Sequence, residues 1–193
     1  MNRDETIKEK ILDAAANRML RFGYRKVSMD EIASDLVMSK NTIYKQFQSK
    51  VDLAQSLFKR LEKQINQELT LIEEATQDPI EIISKSVFFI QKQLSPWFEH
   101  FWGDIKTEVP SLYQDFINFR NEKISNVEIL IQKGVKMEKF RKVHPAVAVG
   151  IYLGAINHVL NPEFLQQEKI SFPDAIESVM DIWSFGILNK GKE

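Results

Sequence analysis

The polar side chains that follow Ser39 form the group best suited to binding chemistry in this chain of 193 residues. Ammonium, amide, hydroxyl and phenol groups donate hydrogen bonds to phosphates and to the edges of bases. The group consists of Lys40, Asn41, Thr42, Tyr44, Lys45 and Gln46. Ile43 and Phe47 lie four residues apart among them, which indicates a short helix with an apolar inner side. Contact with DNA is one interpretation of the outer side, and a helix face that merely meets water is the other.

Three N-cap signals define the elements that would hold this polar group. Ser28 and Glu31 have the spacing of a capping box, which predicts a helix that begins after Ser28. The apolar face of that helix consists of Met29, Ile32, Ala33 and Leu36. Ser39 is the second N-cap, for the polar helix, and Ser49 is the third, for a longer helix. Two short helices joined by a tight turn constitute a helix-turn-helix.

The same segment resembles the DNA-binding domain of the tetracycline-repressor (TetR) family. The resemblance covers residues 7–57 without an insertion. It is carried by Phe22-Gly23-Tyr24, Val27-Ser28-Met29, Ile32-Ala33, Ser39-Lys40-Asn41-Thr42-Ile43-Tyr44, Phe47, Ser49-Lys50 and Leu53. It implies a dimeric, mostly ligand-responsive transcriptional regulator, usually a repressor, that binds a near-palindromic DNA operator.

The resemblance also implies roles for individual residues. Lys50 and Tyr44 match positions of the family that bind phosphate, and Ser28 and Thr42 are expected to add phosphate contacts. Lys40, Asn41 and Lys45 are expected to reach base edges, because lysine suits guanine and asparagine suits adenine. Ser39 completes the predicted DNA-binding set.

Val37 departs from the family pattern. The family commonly has glycine in the turn of the helix-turn-helix, where this chain has Val37. Glycine accepts a positive φ freely, whereas a β-branched residue is strained there. Because the residues on both sides match the family in register, we predict that Val37 still adopts a positive φ, held by Leu36, Met38 and Ile43.

Charge and composition narrow the class of protein. Residues 1–50 contain ten Lys/Arg and seven Asp/Glu, a net charge of +3, and the remainder carries −4. A mildly basic segment joined to an acidic one fits a DNA-binding module attached to another domain. The chain has no cysteine, which excludes disulfides and thiolate sites. No signal peptide and no membrane span are recognised, so a cytoplasmic location is expected. No cofactor and no metal site are predicted.

Beyond residue 50 the sequence predicts helices only. Helix starts are expected at Asp78-Pro79, Ser95-Pro96, Pro110 and His144-Pro145, and a loop is expected from Asn161 to Ser171. The fold class is therefore all-α with about nine helices. Residues 1–49 are predicted to form a three-helix DNA-binding domain, and residues 50–193 a helical domain for effector binding and dimerisation.

Aromatic residues are concentrated between residues 88 and 119. They form either an ordinary core or the wall of an apolar effector pocket, and the resemblance favours the pocket. The predicted pocket residues are Phe88, Trp97, Phe98, Phe101, Trp102, Tyr113, Phe116, Tyr152 and His158. The effector itself is expected to be apolar or aromatic.

The last two predicted helices have the pattern of a self-association surface. Small residues four apart, Gly150 and Gly154, would let a neighbouring backbone approach closely. On the final helix, apolar residues recur at intervals of three and four. The predicted dimer interface comprises Gly150, Gly154, Ile176, Val179, Met180, Trp183 and Ile187. Packing within one chain is the alternative.

Two other classes of function compete with a regulator. An all-helical enzyme or carrier would use acidic pairs such as Glu73-Glu74, or Glu99 beside His100, but the chain lacks a phosphate-binding glycine-rich loop and a His-Glu-x-x-His motif. An adaptor that uses its helix-turn-helix for protein contacts is the third possibility.

Overall fold

The computed structural model describes residues 3–98, 100–159 and 161–188. Within these ranges the protein contains ten α-helices and no strand, which confirms the predicted all-α class. The helices are α1 (Arg3–Phe22), α2 (Met29–Asp35), α3 (Lys40–Gln46), α4 (Lys50–Ala75), α5 (Pro79–Phe98), α6 (Phe101–Glu108), α7 (Pro110–Lys136), α8 (Pro145–Val159), α9 (Pro162–Glu168) and α10 (Phe172–Ile187). No helix among these residues is both long and apolar enough to cross a membrane.

The described residues contain one helix more than the approximately nine expected, because Asn161 opens a helix where a loop was expected. Its side chain accepts a hydrogen bond from the backbone N–H of Glu163 at 3.1 Å, which is the geometry of an N-cap. Helix α9 then runs to Glu168 and ends at Lys169, whose φ is 53°. The Asn-Pro pair therefore acts as a helix start rather than as a stop.

Two expected helix starts also differ. Helix α5 continues through Pro96 to Phe98, and α6 begins only at Phe101. Pro96 has no N–H to donate to the carbonyl four residues earlier, so the last turn of α5 has one backbone hydrogen bond fewer. Glu99 lies outside the described residues. At the N-terminus the sequence predicts Thr6 as the cap of the first helix, but α1 already includes Arg3, so Thr6 lies within this helix.

The chain divides into two compact units. The first unit comprises Met1–Gln64 and Pro96–Phe116, so the three N-terminal helices pack with the first part of α4 and with α6. On the inner side of α1, Arg18 forms ion pairs with Glu31 at 3.2 Å and with Asp35 of α2. The predicted domain boundary between residues 49 and 50 falls inside this unit and remains a prediction.

The second unit comprises Ile65–Ser95 and Ile117–Glu193. Its best-defined contact is between α8 and α10, where the indole N–H of Trp183 donates to the carbonyl of Ala148 at 2.8 Å. The ring of Tyr152 packs 5.2 Å from the ring of Trp183. Burial raises the pKa of Tyr152 to about 12, so its hydroxyl stays neutral. Helices α8 and α10 are therefore held together by an aromatic core of their own.

Candidate nucleic-acid interface

Helix α2 begins with the predicted capping box. The hydroxyl of Ser28 accepts a hydrogen bond from the backbone N–H of Glu31 at 3.3 Å, and the backbone N–H of Ser28 donates to the Glu31 carboxylate at 2.8 Å. Both groups would otherwise be unsatisfied at a helix start. Met29, Ile32 and Ala33 are buried, as their spacing predicted.

The turn after α2 confirms the predicted conformation of Val37, whose φ is 51°. The N–H of Val37 donates to the carbonyl of Ser34 at 3.1 Å, and the N–H of Met38 donates to that of Ala33 at 2.9 Å. This pair of bonds defines a Schellman motif, which requires a left-handed residue at the position of Val37. The side chain of Val37 is 93% exposed, so backbone hydrogen bonds hold the strained conformation and side-chain packing does not.

Replacing Val37 by glycine should stabilise the domain slightly. The left-handed conformation costs a β-branched residue about 1–2 kcal/mol, and the greater freedom of glycine in the unfolded chain cancels about 0.4–1 kcal/mol of the gain. We expect urea denaturation to show a free energy of unfolding that is higher by about 0.5–1 kcal/mol. Ser34→Gly, at an exposed position within α2, is the control and should be destabilising. A similar loss of stability in both variants would contradict this explanation.

Helix α3 presents most of the predicted polar group to solvent. Ile43 and Phe47 are buried at 0% and 1% exposure, and Lys40, Asn41, Tyr44 and Lys45 are exposed. Ser39 caps the helix by accepting from the N–H of Thr42 at 3.1 Å, and the two hydroxyls lie 2.9 Å apart. The ammonium of Lys40 forms an ion pair with Asp30 of α2 at 2.6 Å.

Lys50 is anchored differently from the other predicted DNA-binding residues. Its ammonium donates to the carbonyls of Tyr24 at 3.1 Å and Val27 at 3.0 Å, and it lies 4.2 Å from the centre of the Tyr24 ring. Burial lowers the pKa of Lys50, and nearby carboxylates oppose that shift. Lys50 therefore holds the α1–α2 loop (residues 23–27) against the start of α4.

Helix α6 holds the same loop from another direction. The Asp104 carboxylate accepts from the backbone N–H of Arg25 at 2.8 Å, and Glu108 pairs with the Arg25 guanidinium at 2.9 Å. Gly23 has a φ of 83°, and a Cβ there would lie 2.7 Å from the Asp104 carboxylate. The sequence did not predict this contact, although the four-residue spacing of Asp104 and Glu108 places both carboxylates on one face of α6.

Most of the predicted pocket residues in the first unit pack against one another. The rings of Trp102 and Phe116 are stacked at 4.1 Å, and the ring of Phe101 lies 4.9 Å from that of Trp97. Phe98 also packs edge-on against Phe116 at 5.9 Å. The gap bounded by Leu57, Phe58, Leu61, Trp97, Phe101 and Trp102 leaves no room for a water molecule. In this arrangement these aromatic side chains form core.

The remaining predicted pocket residues lie elsewhere. Tyr113 is half-buried beside Phe116, 6.2 Å from ring to ring. Phe88 is 69% exposed and therefore does not line an enclosed space. In the second unit, Tyr152 is buried against Trp183, and His158 is exposed and lies 4.8 Å from the ring of Phe164. The predicted set is thus spread over both units.

Four residues of the predicted dimer interface are buried within a single chain, and the interface itself remains a prediction. Ile176, Val179, Trp183 and Ile187 are at most 9% exposed. Trp183 packs α10 against α8 of the same chain through its contacts with Ala148 and Tyr152. Met180 is half-buried, while Gly150 and Gly154 are exposed, with no atom within 4 Å of an added Cβ. Periodicity identified the buried face of α10 but not what covers it.

The exposed apolar residues of this helix pair are Val147, Ile151, Ile182 and Phe185, at 57–76% exposure. Three of them (Val147, Ile151 and Ile182) line an apolar groove of about 320 Å³ between α8 and α10.

Comparisons with known proteins agree with this arrangement. Residues 11–57 match the family of bacterial regulatory proteins, tetR family. The uncharacterized HTH-type transcriptional regulator YvaF of Bacillus subtilis (strain 168) is 21% identical over 93% of this chain and 95% of its own length.

Two solved structures share the fold over nearly the whole chain. A TetR transcription regulator from Haloarcula marismortui is 14% identical, with a TM-score of 0.76 over 96% of this chain and 100% of its own. The complex of SmeT with triclosan is 14% identical, with a TM-score of 0.71 over 96% of this chain and 93% of SmeT. The helix-turn-helix segment of this chain therefore matches the tetR family of bacterial regulatory proteins, and the chain as a whole shares the fold of such regulators.

Proposed function

We propose that this protein is a transcriptional regulator of the TetR family, and more specifically a dimeric, ligand-responsive repressor that binds a near-palindromic operator. The observation that carries the proposal is the outer face of α3, where donor side chains stand exposed on a helix that Ile43 and Phe47 anchor. Donors of this kind suit the major groove, into which the second helix of a helix-turn-helix inserts. We also propose a cytoplasmic location and no catalytic role.

Within this proposal the predicted DNA-binding residues divide into two groups. Lys40, Asn41 and Lys45 read base edges, as their exposure permits. The remaining residues bind phosphate: Ser28, Ser39, Thr42, Tyr44 and Lys50. Lys50 contributes mainly by fixing the loop before α2, since its ammonium already donates to three carbonyls of that loop.

A second copy of the chain is the proposed partner of the α8–α10 face. Val147, Ile151, Ile182 and Phe185 expose apolar side chains, and the nearby Gly150 and Gly154 leave room for an approaching helix. Two such helix pairs related by a twofold axis would bury each other's apolar residues. A dimeric helix-turn-helix protein binds two half-sites about 34–36 Å apart, one turn of B-DNA, and one α3 helix would occupy each half-site.

An apolar or aromatic effector is the proposed ligand. The SmeT complex with triclosan shows that one protein of this fold binds an aromatic compound. In the present chain, the aromatic residues next to α6 offer suitable apolar surface once they separate. Because α6 holds the α1–α2 loop through Asp104 and Glu108, a ligand that displaces α6 would release the segment that leads into α2. The ligand changes DNA affinity only to the extent that it binds the two arrangements unequally.

Selection of bound duplexes from a random DNA library tests the proposal. The full chain should enrich a near-palindrome whose half-sites are about 10 base pairs apart, centre to centre. Compounds that raise the melting temperature of the protein should also release this duplex in a gel-shift assay. Enrichment of no sequence would favour a protein-binding adaptor, and enrichment of a single half-site would refute the dimeric mode.

A further inference from the structure

The ion pair between Asp30 and Lys40 connects the two helices of the helix-turn-helix on their exposed side. Asp30 is the second residue of α2 and Lys40 is the first residue of α3. Their side chains are 53% and 64% exposed, and the ammonium lies 2.6 Å from the carboxylate. The hydrogen bond to Asp30 raises the pKa of Lys40, so the ammonium stays charged.

This carboxylate is distinct from the other acidic residues of α2. Glu31 and Asp35 both pair with Arg18 of α1, which fixes the two helices to each other. Asp30 points to α3 instead, toward the residues proposed to meet DNA. An exposed ion pair contributes about 0–1 kcal/mol to folding, so stability gives little reason for it. On a surface that meets phosphates, a carboxylate also lowers affinity.

The pair presents a donor and an acceptor side by side. In the major groove, a G·C base pair presents the acceptors N7 and O6 of guanine and, next to them, the donor N4 of cytosine. Lysine donates to the guanine acceptors, and aspartate accepts from the cytosine amine. A carboxylate held beside an ammonium therefore has the complementary order of hydrogen-bonding groups.

We infer that Asp30 is a specificity-determining residue, which positions Lys40 and reads with it one G·C base pair in each half-site. The carboxylate fixes the ammonium, cancels part of its attraction for phosphates, and accepts from cytosine. Lys40 then strengthens binding where guanine is present and adds little on other sequences. This inference rests on the proposed DNA-binding function.

The test compares Asp30→Asn with Asp13→Asn in the full chain. Asp13 is an exposed aspartate of α1 that pairs with Arg60 at 2.7 Å, so its variant has the same change of charge away from α3. Each protein is titrated with the operator that wild type selects, with operators altered at one base pair at a time, and with a random duplex of equal length.

Asp30→Asn should reduce discrimination at one G·C pair per half-site by about five- to 150-fold, the range expected for one base contact. It should also bind the random duplex more tightly, because Lys40 becomes available to phosphates, and its affinity should fall more steeply with salt. Asp13→Asn should retain the wild-type preference at every position. Lys40→Met should lose discrimination at the same base pair, and the double variant Asp30→Asn/Lys40→Met should lose little more.

Equal effects of Asp30→Asn and Asp13→Asn on discrimination would overturn the inference. The inference would also fail if no G·C pair of the operator lost discrimination in both the Asp30→Asn and the Lys40→Met variants. Melting temperatures identify a variant that fails to fold, and Asp30→Glu, which keeps the charge, should then retain part of the preference. If wild type binds no duplex at all, the proposed function fails together with this inference.

Discussion

DNA affinity should fall by about 10³–10⁵-fold between about 50 and 200 mM salt, if the dimer neutralises roughly six to ten phosphates. Each phosphate contact releases condensed counterions, and this release becomes less favourable as the salt concentration rises. Lys45 is exposed on α3 and is the best single residue for testing this salt dependence, because it forms no ion pair among the described side chains. The slope of log affinity against log salt, measured by fluorescence anisotropy with a fixed duplex, checks this expectation.

Lys45→Ala should reduce that slope by about one per protomer. Lys59→Ala, an exposed lysine of α4, is the matched control and should leave the slope nearly unchanged. Lys50→Ala is a poor choice for this purpose, because it also removes the bonds that hold the α1–α2 loop. A flat salt response in the wild-type chain would refute the proposed phosphate contacts.

A single glutamate on the exposed face of α8 should separate the dimer into monomers. Ile151 is 63% exposed in one chain and would be buried by a second copy. Ile151→Glu would bury two uncompensated charges per dimer at a cost of several kcal/mol each, so we expect dimer affinity to fall at least about 100-fold. Operator affinity should fall by about 10²–10⁴-fold, because the two α3 helices are no longer linked. Sedimentation velocity and gel-shift titration measure these two effects.

Ile129→Glu provides the control, because Ile129 is 67% exposed on α7 and does not line the α8–α10 groove. It should remain dimeric. Trp183 belongs to the dimer interface predicted from the sequence, but Trp183→Glu is unsuitable, because Trp183 is 6% exposed and hydrogen-bonded to α8 within its own chain. An Ile151→Glu protein that still sediments as a dimer would show that another surface mediates association.

The helix-turn-helix was predictable because its signals are local. The Ser28–Glu31 capping box spans four residues, and the turn at Val37 is closed by bonds to Ser34 and Ala33. The residues of such a pattern contact one another and are close together in the sequence, so the pattern can be recognised from the sequence alone. The match in register on both sides of Val37 was therefore enough to predict its positive φ.

Contacts between distant segments were not predictable in the same way. Arg25 contacts Asp104 and Glu108, which lie 79 and 83 positions later in the chain. No periodic pattern in the sequence connects these residues. On α10 the neighbouring residues Ile182 and Trp183 are both apolar, yet one is 76% exposed and the other is 6% exposed. Periodicity gives the face that a helix buries but does not identify its partner. Pro96 and Asn161 were misread because each signal fits both the start and the end of a helix.

The contacts of the α1–α2 loop set a limit on how chimaeric regulators are assembled from this chain. Grafting residues 1–49 onto a foreign body would separate the loop from the ammonium of Lys50 and from the carboxylates of Asp104 and Glu108. The transplantable piece is therefore discontinuous: it needs the beginning of α4 and the segment Pro96–Phe116 in addition to the N-terminal helices. Operator specificity is exchanged more simply by replacing only the exposed residues of α2 and α3, because this change leaves the α1–α2 loop and its contacts native.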